Sequence, residues 1–319
     1  MTTTKPKRLV VAINPTASFG KGRDVGPAVV QTLRALGHDV TSLQEPDFDQ
    51  LMAAGLKAVA GKPDALIVVG GDGMVNLGTN LVVGTKVPLG LVPSGTGNDM
   101  ARGLGIPHEN TEGAIESLVA SLAKPARAID AGRVEYLDGG TPSVRWFACV
   151  LSAGFDAIVN ERANNMEHPK GASRYLIALG LELARLKPIP YRLVLDGEEL
   201  VTTGALISVG NNVSIGGGMK VTPDALLDDG FLDVLVVKAI SRVAFLRIFP
   251  RVFKGEHLSD HRVTVRRAKK VRIESEGVVA YADGERIGVL PIDIEVVPGA
   301  LRILDQGGAD QGESVARQE

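Results

Sequence analysis

The hydrophobic positions in the first 125 residues form short unbroken runs, and most of these runs are followed by a segment with helical periodicity. RLVVAIN (8–14), DALIVV (64–69) and VPLGLV (87–92) are apolar on consecutive residues, which is typical of strands buried on both faces of a sheet. DVTSL (39–43) is a further strand candidate. Strands that alternate with helices predict a parallel sheet with helices on both faces.

After about residue 125 the pattern changes to short β-rich runs, interrupted by helical stretches at 171–186 and 241–255. We therefore predict an α/β domain over 1–125 and a mainly antiparallel β-sandwich domain over 126–298. A strand at about 299–305 is expected to return to the first domain, and the small polar residues of 307–319 predict a frayed tail.

Composition narrows the class of protein. The chain has 319 residues, 45% of them hydrophobic and 23% charged, which is the balance of a globular protein. Its formal net charge of −2 and the absence of a binding motif argue against a nucleic-acid partner. Cys149 is the single cysteine, so no intrachain disulfide can form, and the five histidines have no zinc-binding spacing. No apolar run is long enough for a signal-peptide core or a membrane span, so a soluble cytoplasmic protein is expected.

Three glycine-rich turns follow the buried strands: NPTASFGKG (14–22), GGDGMVN (70–76) and PSGTGND (93–99). Each precedes a predicted helix, so backbone N–H groups and the positive end of a helix dipole converge there, and glycine lets this backbone approach a phosphate. Any one turn is equally explained as a plain strand-to-helix connection. Three turns at one edge of a sheet predict a crevice for a di- or triphosphate. None of them matches the Walker pattern or G-x-G-x-x-G.

GGDG after a hydrophobic strand, followed about twenty residues later by PSGTGNDMARGLGI (93–106), closely resembles the diacylglycerol kinase catalytic domain family. This family includes bacterial soluble lipid kinases and is related to sphingosine and ceramide kinases. SAGFDA (152–157), GGGMKVTPDALLDDGFLDV (216–234) and ADGE (282–285) are similar to later blocks of the family, in the same order. The resemblance implies an NAD-kinase/diacylglycerol-kinase-like fold and an ATP-dependent lipid kinase that phosphorylates diacylglycerol.

Three alternatives stay open at this point. A kinase of sphingoid bases or other lipids shares every one of these motifs. NAD kinases share GGDG but not the SGTGND or PDALLDDG blocks. A non-catalytic nucleotide-binding regulator would bind ATP without turnover.

The resemblance implies an ATP site in the first domain. The implied contacts are Asn14, Gly70, Gly71, Asp72, Gly73, Met74, Asn76 and Thr96. Asp72 is also implied as a catalytic acid, because a carboxylate beside phosphates makes sense when a metal or a polarised water joins it. The alternative for Asp72 is a helix N-cap or a turn former.

Two positions depart from the family pattern, which usually has threonine at Met74 and glutamate at Leu77. Methionine cannot donate a hydroxyl hydrogen bond to phosphate, but we expect the backbone N–H of Met74 to remain available. In the next turn, we expect Asn98 or Asp99 to cap the helix that follows.

Two acidic turns in the second domain are implied to carry out the chemistry. Asp-Gly between strands is by itself a hairpin signal, but the resemblance makes Glu285 of ADGE the proton acceptor. Asp283 is then a second acid that positions Glu285 or a metal. The resemblance also places Mg²⁺ at the DDG block, bound by the Asp229 side chain and by the carbonyls of Leu226 and Phe231, an oxygen-only set that suits this ion. A capped turn without metal is the alternative.

The segment 241–272 mixes apolar residues with many Arg and Lys and only two acids. Such a pattern is found on the solvated face of a docked helix and on interfacial helices that bind anionic lipid. A lipid substrate at a membrane surface favours peripheral membrane contact through this segment. The oligomeric state is open, and a homodimer is compatible with the sequence.

Overall fold

The computed structural model of the chain describes residues 5–14, 24–166, 168 and 173–305. The chain divides into two compact units, one comprising the residues up to Ala128 together with those from Leu301, and the other Ile129–Ala300. From the sequence we predicted a domain boundary between residues 125 and 126 and a return of the chain to the first domain at about residue 299. The predicted tail and most of the first glycine-rich turn lie outside the described residues.

The first unit is built on a parallel sheet. Its elements are β1 (Arg8–Ile13), α1 (Val25–Ala35), β2 (Asp39–Leu43), α2 (Phe48–Ala60), β3 (Ala65–Gly70), α3 (Asp72–Val82), β4 (Leu89–Pro93), α4 (Asp99–Gly103) and α5 (Thr111–Ser121). The strand order is β2-β1-β3-β4, and every pair is parallel. The end of the last described strand, which runs from Ile292 to Leu304, pairs in parallel with β4, with Ile303 opposite Leu89.

Helices cover both faces of this sheet. Alternate strand residues, among them Val11 and Ile67, share a buried core with Val29 and Leu33 of α1 and with residues of α5. On the opposite face α3 packs so closely on Val68 that a Cβ at Gly78 would lie 2.9 Å from the Val68 side chain. The predicted parallel sheet with helices on both faces is therefore confirmed.

The second unit is mainly antiparallel. Its elements are β5 (Arg127–Asp138), β6 (Thr141–Phe147), β7 (Val150–Gly154), α6 (Phe155–Asn164), α7 (Ser173–Ala184), β8 (Ile189–Leu195), β9 (Glu198–Gly210), β10 (Leu232–Lys238), α8 (Arg242–Val252), β11 (Val263–Ala268), β12 (Lys270–Glu274), β13 (Val279–Ala282), β14 (Glu285–Val289) and β15 (Ile292–Leu304). The main path is β14-β13-β7-β9-β8-β12-β15, with β10 pairing both β9 and β11, and β5 pairing both β15 and β6.

Two apolar layers lie on either side of these strands. One face, which includes Leu151 and Ile207, forms the interior of the β-sandwich. Leu235 and Val237 on the other face pack beneath α6, α7 and α8, where the Phe155 and Phe245 rings meet edge to face with centroids 4.8 Å apart. The predicted antiparallel β-sandwich is confirmed. None of the described helices has the length and apolar character that crossing a membrane requires.

Candidate active site

The carboxyl ends of β1, β3 and β4 lie side by side at one edge of the first unit's sheet. The Asn14 N–H donates to the Val69 carbonyl at 3.1 Å, and the Ser94 N–H donates to the Gly70 carbonyl at 2.9 Å. In an open α/β sheet this edge is where ligands bind. The turns at 70–76 and 93–99 and the start of the turn at 14–22 therefore reach the common edge that the sequence predicted.

Glycines allow the second and third turns to pack backbone against backbone. A Cβ at Gly95 would lie 2.4 Å from the Gly71 Cα, and a Cβ at Gly71 would lie 3.0 Å from the Gly95 Cα. A Cβ at Gly97 would lie 2.2 Å from an oxygen of Asp72. The contact between the two turns thus requires glycine at these positions, before any ligand is considered.

Asp72 joins the two turns through its carboxylate. It begins α3, but its oxygens accept the backbone N–H groups of Asn98 at 3.0 Å and of Asp99 at 2.8 Å. These donors belong to the start of α4, which the sequence had assigned to a cap from Asn98 or Asp99. Asn98 is the N-cap residue by position, but its side chain makes no cap hydrogen bond and instead pairs with the backbone of Gly95.

The electrostatics of Asp72 are unfavourable to its charge. Burial raises the pKa of the Asp72 carboxyl, and the nearby carboxylate of Asp99 raises it further, whereas the two backbone N–H donors lower it. Asp99 is itself buried. The sequence singled out Asp99 only as a candidate helix cap, not as a second buried carboxylate beside Asp72.

The side chains of the second turn differ in their access to a ligand. Met74 is buried with its side chain against Gly70, and its N–H donates to the Gly71 carbonyl at 2.9 Å, so the expectation that this N–H stays available was wrong. Asn76 is also buried and accepts from Asn80. Thr96 in the third turn is exposed. Within these two turns, the start of α3 and Thr96 are positions that keep some exposure.

A groove of about 690 Å³ opens beside the same edge, at the carboxyl ends of β1 and β2. Its walls include Ile13, Val30, Gln31, Arg34, Ser42 and Gln44. The combination of an apolar floor and amide side chains is suited to an aromatic base with polar edges.

In the second unit, Asp283 fixes the turn that carries Glu285. Its carboxylate accepts the N–H groups of Ala148 at 2.8 Å, Cys149 at 3.0 Å and Val150 at 3.0 Å, and its backbone has the left-handed φ of 49°. Glu285, at the start of β14, is exposed, and its side chain makes no hydrogen bond or ion pair within the described part of the chain. The Asp283 carboxylate thus fixes the turn to residues 148–150, and the exposed Glu285 follows two residues later.

The DDG turn (residues 228–230) is surrounded by charged side chains. Asp229 accepts the Phe231 N–H at 3.0 Å and forms an ion pair with Arg267, whose guanidinium carbon lies 4.4 Å from the Phe231 ring centroid. Burial raises the pKa of Asp233 to about 6, Arg267 opposes this shift, and Asp229 adds to it. No cluster of three or more histidine, cysteine or acidic side chains that could hold a metal occurs among the described residues.

Asp130 is a residue that the sequence reasoning missed. It is buried, its N–H donates to the Leu227 carbonyl at 2.7 Å, and its carboxylate accepts the N–H groups of Gly230 at 2.7 Å and Gly299 at 2.9 Å. Asp130 therefore ties the DDG turn to β15. No local signal in ARAID points to this role, because its partners are 97 to 169 residues away in the sequence (Leu227 to Gly299).

The first unit is an α/β unit with glycine-rich turns at one edge, and the second is a β-sandwich with two acidic turns. This combination is typical of the kinase class that contains diacylglycerol and NAD kinases. Residues 8–134 match the model of the diacylglycerol kinase catalytic domain, and residues 149–305 match the YegS C-terminal NAD kinase beta sandwich-like domain. The chain belongs to the diacylglycerol kinase family, and the predicted resemblance is confirmed.

Relatives and solved structures agree with this assignment. The chain is 40% identical over 301 residues to a diacylglycerol kinase of Mycobacterium tuberculosis, covering 93% of this chain and 94% of the relative. It is 28% identical to one of Bacillus subtilis, covering 89% and 92%. A putative diacylglycerol kinase from Bacillus anthracis has the same fold, with a TM-score of 0.73 and 23% identity over 95% and 98%. An NAD kinase from Archaeoglobus fulgidus is more distant, with a TM-score of 0.52 and 12% identity over 94% of each chain.

Proposed function

We propose that this chain transfers the γ-phosphoryl group of ATP to a hydroxyl group of diacylglycerol and so produces phosphatidic acid. The observation that carries this proposal is the 40% identity, over nearly the whole of both chains, to a protein named diacylglycerol kinase. A kinase acting on sphingoid bases or on another lipid hydroxyl is the second candidate, because the acceptor is not specified by any of the turns described above.

In this proposal ATP binds at the edge formed by β1, β3 and β4. Asn14, Gly73 and the exposed Thr96 are the contacts that the geometry favours for the phosphates. Asp72 keeps the two glycine-rich turns together, which supports a positioning role for it. The groove at the ends of β1 and β2 has the volume and the mixed lining that the adenosine part requires.

Glu285 is proposed as the proton acceptor. As the lipid hydroxyl oxygen attacks the γ-phosphorus, its proton passes to the Glu285 carboxylate, the new P–O bond forms, and the bond to the bridging oxygen of ADP breaks. The exposure of Glu285 and its freedom from ion pairs within the described residues support this role. Asp283 is proposed to set the turn from which Glu285 projects.

Mg²⁺ is proposed at the DDG turn, with the Asp229 carboxylate and the carbonyls of Leu226 and Phe231 as its protein ligands. The donors fit the ion in kind because all of them are oxygens, and Asp224, Asp228 and Asp233 add negative charge nearby. Arg267 already pairs with Asp229, so the ion would have to share or displace this guanidinium. When bound, the metal would supply charge neutralisation and rigidity to this turn.

Peripheral contact with a membrane is proposed through two helices. In 241–272, Val243 and Leu246 of α8 are exposed beside Arg242 and Arg247, the arrangement expected of an interfacial helix. The sequence reasoning missed a second apolar surface. It lies on α7, where four large side chains are exposed: Tyr175, Leu176, Ile177 and Leu181. Both helices pack on the same apolar layer, which supports a common interfacial role.

The experiment that tests the proposed reaction follows label from γ-labelled ATP with Mg²⁺ into separate acceptors. These are diacylglycerol and sphingosine in mixed micelles, and NAD in plain buffer. Glu285→Gln is run beside the parent, with Glu276→Gln as the matched control, since Glu276 is an exposed glutamate in the same unit. Losing a positioned base costs roughly 10² to 10⁴ in rate.

Labelled phosphatidic acid that is lost in Glu285→Gln and kept in Glu276→Gln is the expected result. Label on sphingosine instead would move the proposal to the second candidate, and label on NAD would overturn the lipid acceptor. ATP binding without transfer to any acceptor would favour a regulatory protein.

A further inference from the structure

The turn after β9 begins with Asn211, which is completely buried and for which the sequence suggested no role. Its Nδ2 donates two hydrogen bonds, to the Asp130 carbonyl at 3.0 Å and to the Ala148 carbonyl at 3.0 Å. Its backbone N–H donates to the Cys149 carbonyl at 2.8 Å. One side-chain amide therefore connects β5 with the segment that leads into β7.

The two carbonyls that Asn211 holds belong to residues already fixed to the two acidic turns. Asp130 is bound to the DDG turn through Leu227 and Gly230. Ala148 is bound to the DGE turn, because its N–H donates to the Asp283 carboxylate at 2.8 Å. The Asn211 amide is therefore a direct hydrogen-bonded link between residues fixed to the turn that carries Asp229 and residues fixed to the turn that carries Glu285.

A purely packing role does not account for this side chain. The Asn211 Oδ1 is buried and has no hydrogen-bond partner within the described part of the chain. A buried acceptor without a partner is costly, so an apolar residue would fill the space better if filling were the only requirement. The two donated hydrogen bonds are what an apolar residue could not provide.

We propose that Asn211 is a positioning residue for phosphoryl transfer, which fixes the DGE turn and its Glu285 relative to the DDG turn. The proposal rests on the proposed function, because it takes Glu285 as the proton acceptor. Asn211 acts only through the carbonyls of Asp130 and Ala148 and does not itself contact a substrate. A displacement of a catalytic group by about 1 Å is enough to cost on the order of 10²-fold in rate.

The structural part is tested by hydrogen–deuterium exchange on the full chain, comparing the parent with Asn211→Ala and Asn211→Asp. The Asp variant keeps the shape and, when protonated, can donate one of the two hydrogen bonds, so it covers the case in which the Ala variant does not fold. Thr222→Val is the matched control, because it removes one buried hydrogen bond, to the Asn212 carbonyl at 2.8 Å, from the neighbouring loop.

Both Asn211 variants are expected to lose protection together at 148–150, 226–231 and 283–286, whereas Thr222→Val loses it only around its own loop. Loss confined to the neighbourhood of residue 211 would overturn the link between the two turns.

The catalytic part is tested by steady-state kinetics. We expect Asn211→Ala to lower kcat roughly 10- to 100-fold while changing the KM for ATP by less than about twofold. Adding Asn211→Ala to Glu285→Gln should cause no further loss, because a residue that acts by positioning Glu285 has nothing left to position. A full multiplicative loss in the double variant would show that Asn211 acts independently of Glu285 and would overturn the positioning role.

The two proposals fail in distinguishable ways. Exchange does not require a substrate, so the link between the turns is measured even in a protein that transfers no phosphate. If the parent binds ATP and phosphorylates no acceptor, the proposed function fails, and the positioning role in catalysis is overturned with it. If the parent is active and Asn211→Ala keeps the parent kcat, only the positioning role is overturned.

Discussion

The carboxylate of Asp72 accepts the backbone N–H of Asp99 at 2.8 Å, across 27 residues of the chain. Together with the bond from Asn98, this contact makes the aspartate of GGDG the cap for the helix that follows the other glycine-rich turn. The relationship explains why a charged residue stands among glycines at the end of a buried strand. It holds two turns together at the edge where the phosphates are proposed to bind.

Replacing Asp72 by alanine should therefore weaken ATP binding as well as stability. The variant leaves two backbone donors without their acceptor, which should lower the free energy of unfolding by about 1–2 kcal/mol. Asp47→Ala is the matched control, because Asp47 caps α2 by accepting the Gln50 N–H at 2.8 Å, away from the glycine-rich turns. Denaturant unfolding and ATP titration should show a stability loss in both variants and weaker ATP binding only in Asp72→Ala. Equal ATP affinities would contradict the positioning role.

The contact between the turns makes a second prediction, for Gly95→Ala. The added Cβ would lie 2.4 Å from the Gly71 Cα, and backbone cannot move aside as a flexible side chain can. We expect a loss of about 1–3 kcal/mol in unfolding free energy and a weaker affinity for ATP. Gly180→Ala serves as the control because nothing lies within 4 Å of its Cβ position. Unchanged ATP binding in a folded Gly95→Ala protein would show that ATP binding does not depend on the close contact between the two turns.

The sequence was sufficient for features that depend on near neighbours. Consecutive apolar residues such as 65–70 correctly predicted buried parallel strands, because burial on both faces requires that pattern. The sequence pointed to the local candidates Asn98 and Asp99 for the cap of α4, and it did not show that their N–H groups are accepted by Asp72, which is distant in sequence. Asp130 and Asn211 were missed for the same reason. Their partners become neighbours only when several strands are paired, and no local pattern records this.

Variants of Asp283 and Glu285 in the DGE turn distinguish the positioning of the turn from the proton transfer itself. Asp283→Asn should lower both kcat and the free energy of unfolding, the latter by about 1–3 kcal/mol, because one amide oxygen replaces a carboxylate that accepts three N–H groups. Glu285→Gln should lower kcat alone, since Glu285 is exposed. Asp196→Asn is a closely matched control: it also lies in an Asp-Gly turn, has φ 49° and accepts backbone N–H groups from Lys269 and Lys270. It should destabilise the protein without changing kcat, and a kcat loss of equal size would contradict a specific role for Asp283.

The exposed apolar residues of α8 predict a dependence on membrane composition. Leu246 is 59% exposed beside Arg247, so Leu246→Ser should weaken sedimentation with vesicles that contain anionic lipid and should raise the apparent KM for a lipid acceptor. Leu56→Ser is the control, because Leu56 is 54% exposed on α2 in the other unit. Arg247→Glu should weaken binding to anionic vesicles further, by about 1 kcal/mol or more at low salt. Equal vesicle binding by all three variants and the parent would exclude this surface.

His257 predicts the pH dependence of stability in the second unit. It is buried, and its Nε2 lies 3.1 Å from the Val221 carbonyl. Burial lowers the pKa of His257, the Val221 carbonyl opposes this shift, and the charge of Arg251 lowers the pKa further. Because the folded-state pKa lies below the ordinary value near 6.5, the unfolded chain takes up a proton first as the pH falls. The folded state should therefore lose about 1.4 kcal/mol for each pH unit below about 6.5, until the folded-state pKa is reached.

His257→Gln keeps a donor for the carbonyl but does not titrate, so its unfolding free energy should fall less between pH 7 and 5 than that of the parent. His261→Gln, at an exposed position, should follow the parent curve. A difference between parent and His257→Gln that stays constant with pH would show that this histidine does not titrate differently in the folded and unfolded states.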